Sequence, residues 1–171
     1  MDYVTREEAG LIPPTSISRI SSSLGIFGHW TAGPTSQTPR EIQRFHMETR
    51  GWTDIAYSWL VDDAGVIYEA RGWGRAGGHT QGYNSVAHAV CGIAGSEGDV
   101  TDAMLDGIAT VFNEHDRLYG SGFHLPHRAA RGAATFCPGN TITQFIYEGD
   151  FTTTGDLDMD AVAQIGEFHQ D

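Results

Sequence analysis

Leu24-Gly-Ile-Phe-Gly-His29-Trp-Thr-Ala-Gly33 is an apolar run that ends on a histidine. Its opening half reads as a β-strand, so His29 sits at the end of a rigid element, where a preorganised ligand belongs. A hundred residues later comes His127-Arg-Ala-Ala-Arg-Gly-Ala-Ala-Thr135-Phe-Cys137-Pro-Gly139, a loop with a second histidine and a cysteine. Imidazole nitrogen and thiolate sulfur are ligands Zn2+ prefers, and three protein ligands with one open position form a catalytic site. Brought together, His29, His127 and Cys137 predict a zinc hydrolase that uses a metal-activated water near neutral pH.

Working outward, Thr38-Pro39-Arg40-Glu41 predicts a helix start. Thr38 is the cap, Pro39 occupies the first helical position and Glu41 stands three after the cap. The helix is expected to reach Thr49 with Ile42, Phe45 and His46 or Met47 on one face. Residues 55–62 and 66–70 flank Asp63-Ala-Gly65 and read as a hairpin. A Gly-rich loop over 71–85 carries Trp73, His79, Tyr83 and Asn84. Residues 86–94 form an apolar run suited to a central strand. Thr101 caps a long helix to Tyr119 whose stripe is Met104, Leu105, Ile108, Val111, Phe112 and Leu118. The histidine–cysteine loop and a helix over 141–147 follow, and a short helix is expected over 5–10. Strands that interleave with helices predict an α/β fold, a central mixed β-sheet with helices packed on its faces.

The 171 residues suffice for one domain with a core and a small appendage. We expect a catalytic domain over 1–148 and an acidic linker or tail over 149–171. Net charge is −12, and all ten basic residues are arginine. Seven carboxylates and no basic residue lie from Glu148 onward, leaving 15 acidic against 10 basic residues before it. This balance argues against nucleic acid as a partner, because that binding rests on Lys and Arg contacts to phosphates. No apolar run reaches 18 residues, which argues against a membrane span. The N-terminus carries no readable signal peptide. Cys91, in an apolar run, reads as a buried thiol. His88 and His115 read as structural, and His46 and His169 as exposed.

The order of the motifs carries a resemblance. His29-Trp-Thr-Ala-Gly, Asp54-Ile-Ala-Tyr57-Ser-Trp-Leu-Val, Gly65-Val-Ile-Tyr-Glu, Gly78-His79-Thr-Gln-Gly-Tyr-Asn84, Pro126-His127-Arg and Thr135-Phe-Cys137-Pro-Gly139 follow one another. The chain thereby resembles the type 2 N-acetylmuramoyl-L-alanine amidases, which include phage endolysin amidases and share a fold with the peptidoglycan recognition proteins. The resemblance covers residues 5–147. It implies Zn2+ as cofactor with His29, His127 and Cys137 as its ligands, and Tyr57 as the catalytic tyrosine beside it. It implies a catalytic-site position for Thr135, for which a loop-capping hydroxyl is the alternative. His79 and Asn84 match substrate-groove positions, although Asn also serves turn geometry. Trp73 would stack on a sugar or anchor its loop.

Three departures stand out. His127 and Cys137 are ten apart where the family has eight, which leaves His124 as a competing ligand. The strand after Asn84 reads Ser-Val-Ala-His-Ala-Val in place of Ser-Ile-Gly-Ile. Cys91 stands where some amidases place a catalytic Glu. The implied activity is zinc-dependent hydrolysis of the amide between N-acetylmuramic acid and L-alanine in peptidoglycan. The expected setting is a monomeric phage lytic enzyme, held in the host cytoplasm until a holin releases it to the wall. The alternatives are a peptidoglycan-binding module without catalysis and a zinc peptidase acting on the stem peptide.

Overall fold

The computed structural model describes residues 1–149; residues 150–171, with His169 and the body of the acidic tail, lie outside the described residues. Five strands form one sheet: β1 (Gly25–Trp30), β2 (Trp59–Val61), β3 (Ile67–Glu69), β4 (His88–Gly92) and β5 (Phe123–Pro126). Their spatial order is β3-β2-β4-β1-β5. β1 runs parallel to β4 and β5, and β2 runs parallel to β4; β3 alone is antiparallel, on the edge. The sheet is therefore mixed, as the sequence predicts, with the apolar run at 86–94 supplying a central strand.

Strand alternation divides the core into two faces. Ile26 and Trp30 point to one side with Trp59, Val61 and Val90. There they meet α2 (Asp102–Tyr119) through Met104, Ile108, Val111 and Phe112, and α3 (Gly139–Glu148) through Ile142 and Ile146. Gly28 and Gly92 let both helices lie close, because a Cβ at Gly28 would sit 2.6 Å from Ile146 and one at Gly92 2.7 Å from Met104. Phe27, His29, Leu60 and Cys91 face the other side. Leu60 and Cys91 cluster there with Leu11, Ile55 and Ile42 of α1 (Pro39–Arg44).

The helix caps follow the sequence. Thr38 and Glu41 form a reciprocal capping box at α1, and Thr101 accepts the Met104 N–H at α2. Five expectations need correction. α1 stops at Arg44 and continues as a π-helical turn over Phe45–Thr49. That turn carries His46 inward, where its Nδ1 accepts the Ala56 N–H at 3.0 Å, so His46 is buried rather than exposed. Leu118 is 43% exposed, because the 104-108-111-115 spacing brings His115 into the stripe instead. The residues 5–10 form hydrogen-bonded turns rather than a helix, tied by the Val4 bridge to Tyr68. The loop before His127 contains β5, a four-residue edge strand too short and Pro-ended to read from periodicity.

Candidate metal centre and cleft

The parallel strands deliver the site at their carboxyl ends, where open α/β sheets bind ligands. His29 is the fifth residue of β1, and β5 ends at Pro126, one residue before His127. Because β1 and β5 are paired neighbours in parallel, both histidines emerge at one edge. Their rings lie 4.5 Å apart. Cys137 arrives from the turn before α3 and is docked on β1, where its Sγ accepts the Trp30 N–H at 3.4 Å. The result is that one ligand atom from each of His29, His127 and Cys137 lies within 4.8 Å of the others.

The Cys137 Sγ and His29 Nδ1 are 3.6 Å apart. Tetrahedral zinc with bonds of roughly 2.3 Å to sulfur and 2.0 Å to nitrogen separates those two atoms by about 3.5 Å. Burial, reinforced by His79 and His127, holds the His29 ring well below its usual range and hence neutral. Burial pushes the Cys137 thiol up to about 11, against the pull of the Trp30 N–H and Arg128. A buried neutral imidazole and a thiol that needs a cation to ionise are the donor chemistry zinc takes, with a proton released on binding. The residues therefore fit the ion.

His124 is elsewhere. It pairs in register with Ile26, so it points to the α2 face while His29 points to the other. There it stacks on Phe112 and its Nε2 lies 3.0 Å from Asp116 Oδ1. It forms with His115 and Asp116 a separate group.

A cleft of about 390 Å³ opens over the three residues, lined also by Tyr57, His79, Thr135, Trp52 and Phe136. A neighbouring cavity of about 530 Å³, lined by Thr80 to Tyr83 and Ala130 to Thr135, shares His127 and Thr135 with it. The Tyr57 ring lies 5.3 Å from that of His29. Burial, then Cys91 and Cys137, raise its hydroxyl well above the usual range, so it stays protonated. Cys91 is fully buried on β4 directly opposite His29 in the ladder, and its thiol is likewise pushed well up by burial. The Thr135 hydroxyl accepts the Cys137 N–H at 3.1 Å.

Of the groove residues, His79 lines the cleft, whereas Asn84 organises the loop. Its Oδ1 accepts the N–H groups of His79 at 2.7 Å and Thr80 at 3.0 Å. Trp73 borders neither cavity. It packs among Trp59, His88, His115 and Tyr119 on the α2 side, the contacts of a loop anchor. Thr80, Trp52 and Phe136 also line these cavities, and no sequence motif singles them out. Trp52 and Phe136 are 40% and 56% exposed, and no periodic signal marks a residue on a cleft rim.

The family model described as N-acetylmuramoyl-L-alanine amidase matches residues 21–140. The chain belongs to this amidase family. The match includes all three residues of the metal-type group and Tyr57. A mouse N-acetylmuramoyl-L-alanine amidase is 33% identical over 108 residues, covering 60% of this chain and 20% of that protein. The chain thus spans a fifth of that relative's length. Among solved structures, Drosophila PGRP-LB superposes with a TM-score of 0.80 at 25% identity, over 91% of this chain and 99% of the other. Peptidoglycan recognition protein-LE, solved in complex with tracheal cytotoxin, a monomeric diaminopimelic acid-type peptidoglycan, gives 0.78 at 25% identity over 87% and 94%. The chain therefore has the fold of the peptidoglycan recognition proteins.

Proposed function

We propose that the protein hydrolyses the amide between the lactyl group of N-acetylmuramic acid and L-alanine, with zinc held by His29 Nδ1, His127 and Cys137 Sγ. The observation that carries the reading is the convergence of those three ligand atoms within 4.8 Å beneath an open cleft. When bound, the ion acidifies a water and polarises a carbonyl oxygen. Tyr57, kept protonated by its setting, donates to the oxyanion that develops at the scissile carbon. Thr135 accepts the Cys137 N–H and keeps its own O–H to donate into the cleft it lines. Neither cavity's lining contains a carboxylate or a lysine. The proton for the departing amine must then come from Tyr57, a second histidine of the lining or water. His79 and the aromatic rims Trp52 and Phe136 bound the groove for the muramyl peptide.

Within this proposal the setting is a phage lytic enzyme acting as a monomer on the wall; its support is the resemblance to the phage endolysin amidases. The test is zinc content together with incubation on purified peptidoglycan, followed by mass spectrometry of the products. Intact glycan separated from intact stem peptide, with new L-alanine amino termini, is the expected result. Cuts inside the stem peptide would make the protein a peptidase. Wall binding without cleavage at full zinc occupancy would make it a binding module, a reading favoured by the fragment complex of the LE relative.

A further inference from the structure

A chain of three hydrogen bonds runs from the Ala87 carbonyl through His79 and Thr80 to the ring of His29. His79 Nε2 lies 3.2 Å from the Ala87 carbonyl oxygen. His79 Nδ1 lies 2.9 Å from Thr80 Oγ1. Thr80 Oγ1 lies 3.3 Å from His29 Nε2. All three side chains are buried, with Thr80 2% exposed.

Donor and acceptor inventories fix the direction of each bond. A carbonyl oxygen only accepts, so His79 carries its proton on Nε2 and presents a bare Nδ1. That nitrogen accepts, so the single hydroxyl proton of Thr80 points to it. The Thr80 oxygen then accepts from His29, whose Nε2 must carry the proton. Nδ1 of His29 is left with its lone pair, and this is the atom 3.6 Å from Cys137 Sγ. One backbone carbonyl thereby dictates the tautomer of the histidine two rings away.

We infer that Thr80 is a positioning residue for the metal centre, which fixes His29 as the Nε2–H tautomer and so commits Nδ1 to the ion. This rests on the zinc reading proposed above. The loop is built for the task. Asn84 pins the backbone of both His79 and Thr80. A Cβ at Gly77 would strike the His79 ring, so glycine there makes room for it. Outer hydrogen bonds of this kind orient a ligating imidazole and raise its basicity.

The test compares Thr80→Val, which keeps the shape and removes the hydroxyl, with Thr80→Ser, which keeps the hydroxyl. Competition with a chromogenic chelator is expected to give a zinc dissociation constant about 10–100-fold weaker for Thr80→Val, with wild-type affinity restored in Thr80→Ser. Ring-nitrogen NMR shifts of the wild-type full chain, zinc-loaded and metal-stripped, should show His29 protonated on Nε2 in both. Unchanged zinc affinity in Thr80→Val, or wild-type His29 protonated on Nδ1, overturns the inference. Should Thr80→Val fail to fold, the wild-type NMR measurement decides alone. Should the wild type hold no zinc, the zinc reading fails, and the tautomer of metal-stripped His29 still tests the relay separately.

Discussion

The Sγ of Cys137 lies 3.6 Å from Nδ1 of His29, across 108 residues of chain. Neither atom has a route to the other except through the sheet. β1 holds the histidine, and the Trp30 backbone N–H of the same strand receives the thiol. Cys137→Ser should therefore keep the fold, since Ser fits the space and can accept the same N–H. It should lose zinc and amidase activity together, because a hydroxyl is a poor zinc ligand. Metal analysis and circular dichroism of one preparation check both halves.

Tyr57→Phe should leave zinc bound and lower turnover on muramyl peptide by about 10²–10³-fold, the usual loss on removing one oxyanion donor. Loss of metal in this variant would instead assign Tyr57 a structural role.

His127→Ala and His124→Ala should separate cleanly. The first removes a residue of the metal group and should abolish zinc retention. The second removes a ring stacked on Phe112 and bonded to Asp116 on the opposite face. It should retain zinc and lose about 0.5–3 kcal/mol of stability. Urea denaturation paired with metal analysis reads the contrast.

Asp54→Ala should be among the most damaging changes outside the cleft. Asp54 is 2% exposed and accepts from Arg6, Gln43 Nε2 and the Ile55 N–H. Its loss leaves the Arg6 guanidinium, 14% exposed, without its charge partner. A cost of about 3–5 kcal/mol is expected for a broken buried pair, measured by urea denaturation.

Stability should fall on the acid side of neutrality. Burial depresses His46 to about 4 and His88 to about 3, from an ordinary 6.5. Below that ordinary value the unfolded chain binds protons that the folded one refuses, so stability rises with pH through this window and is flat above it. His46→Gln should flatten the part of the slope between 6.5 and about 4, seen as a smaller shift of melting temperature with pH.

Much of the fold was readable because its signals are local. Thr38 and Glu41 announce a capping box that needs only three residues of separation. The stripe through Met104, Ile108 and Val111 shows in helical spacing. The failures are equally physical. β5 has four residues and its pairing partner lies about a hundred residues away, so no local period reports it. His46 looked like any polar residue on a helix face until the π-helical turn rotated it onto the Ala56 N–H.

Residue identity and order alone establish which chemistry is available: histidines and a cysteine of ligand type, a tyrosine in a motif, no lysine, and an acidic balance. Those are properties of residue identity and order, and family membership follows from them. That His127 rather than His124 joins His29 emerges only on folding, because alternation along β5 sends the two histidines to different places. Folding likewise brings Thr80 to Nε2 of His29, leaving Nδ1 for Cys137. Proximity between residues so distant in sequence is set by strand register and side-chain direction. Both are fixed by packing of the whole sheet against its helices, and no local stretch of the chain encodes them.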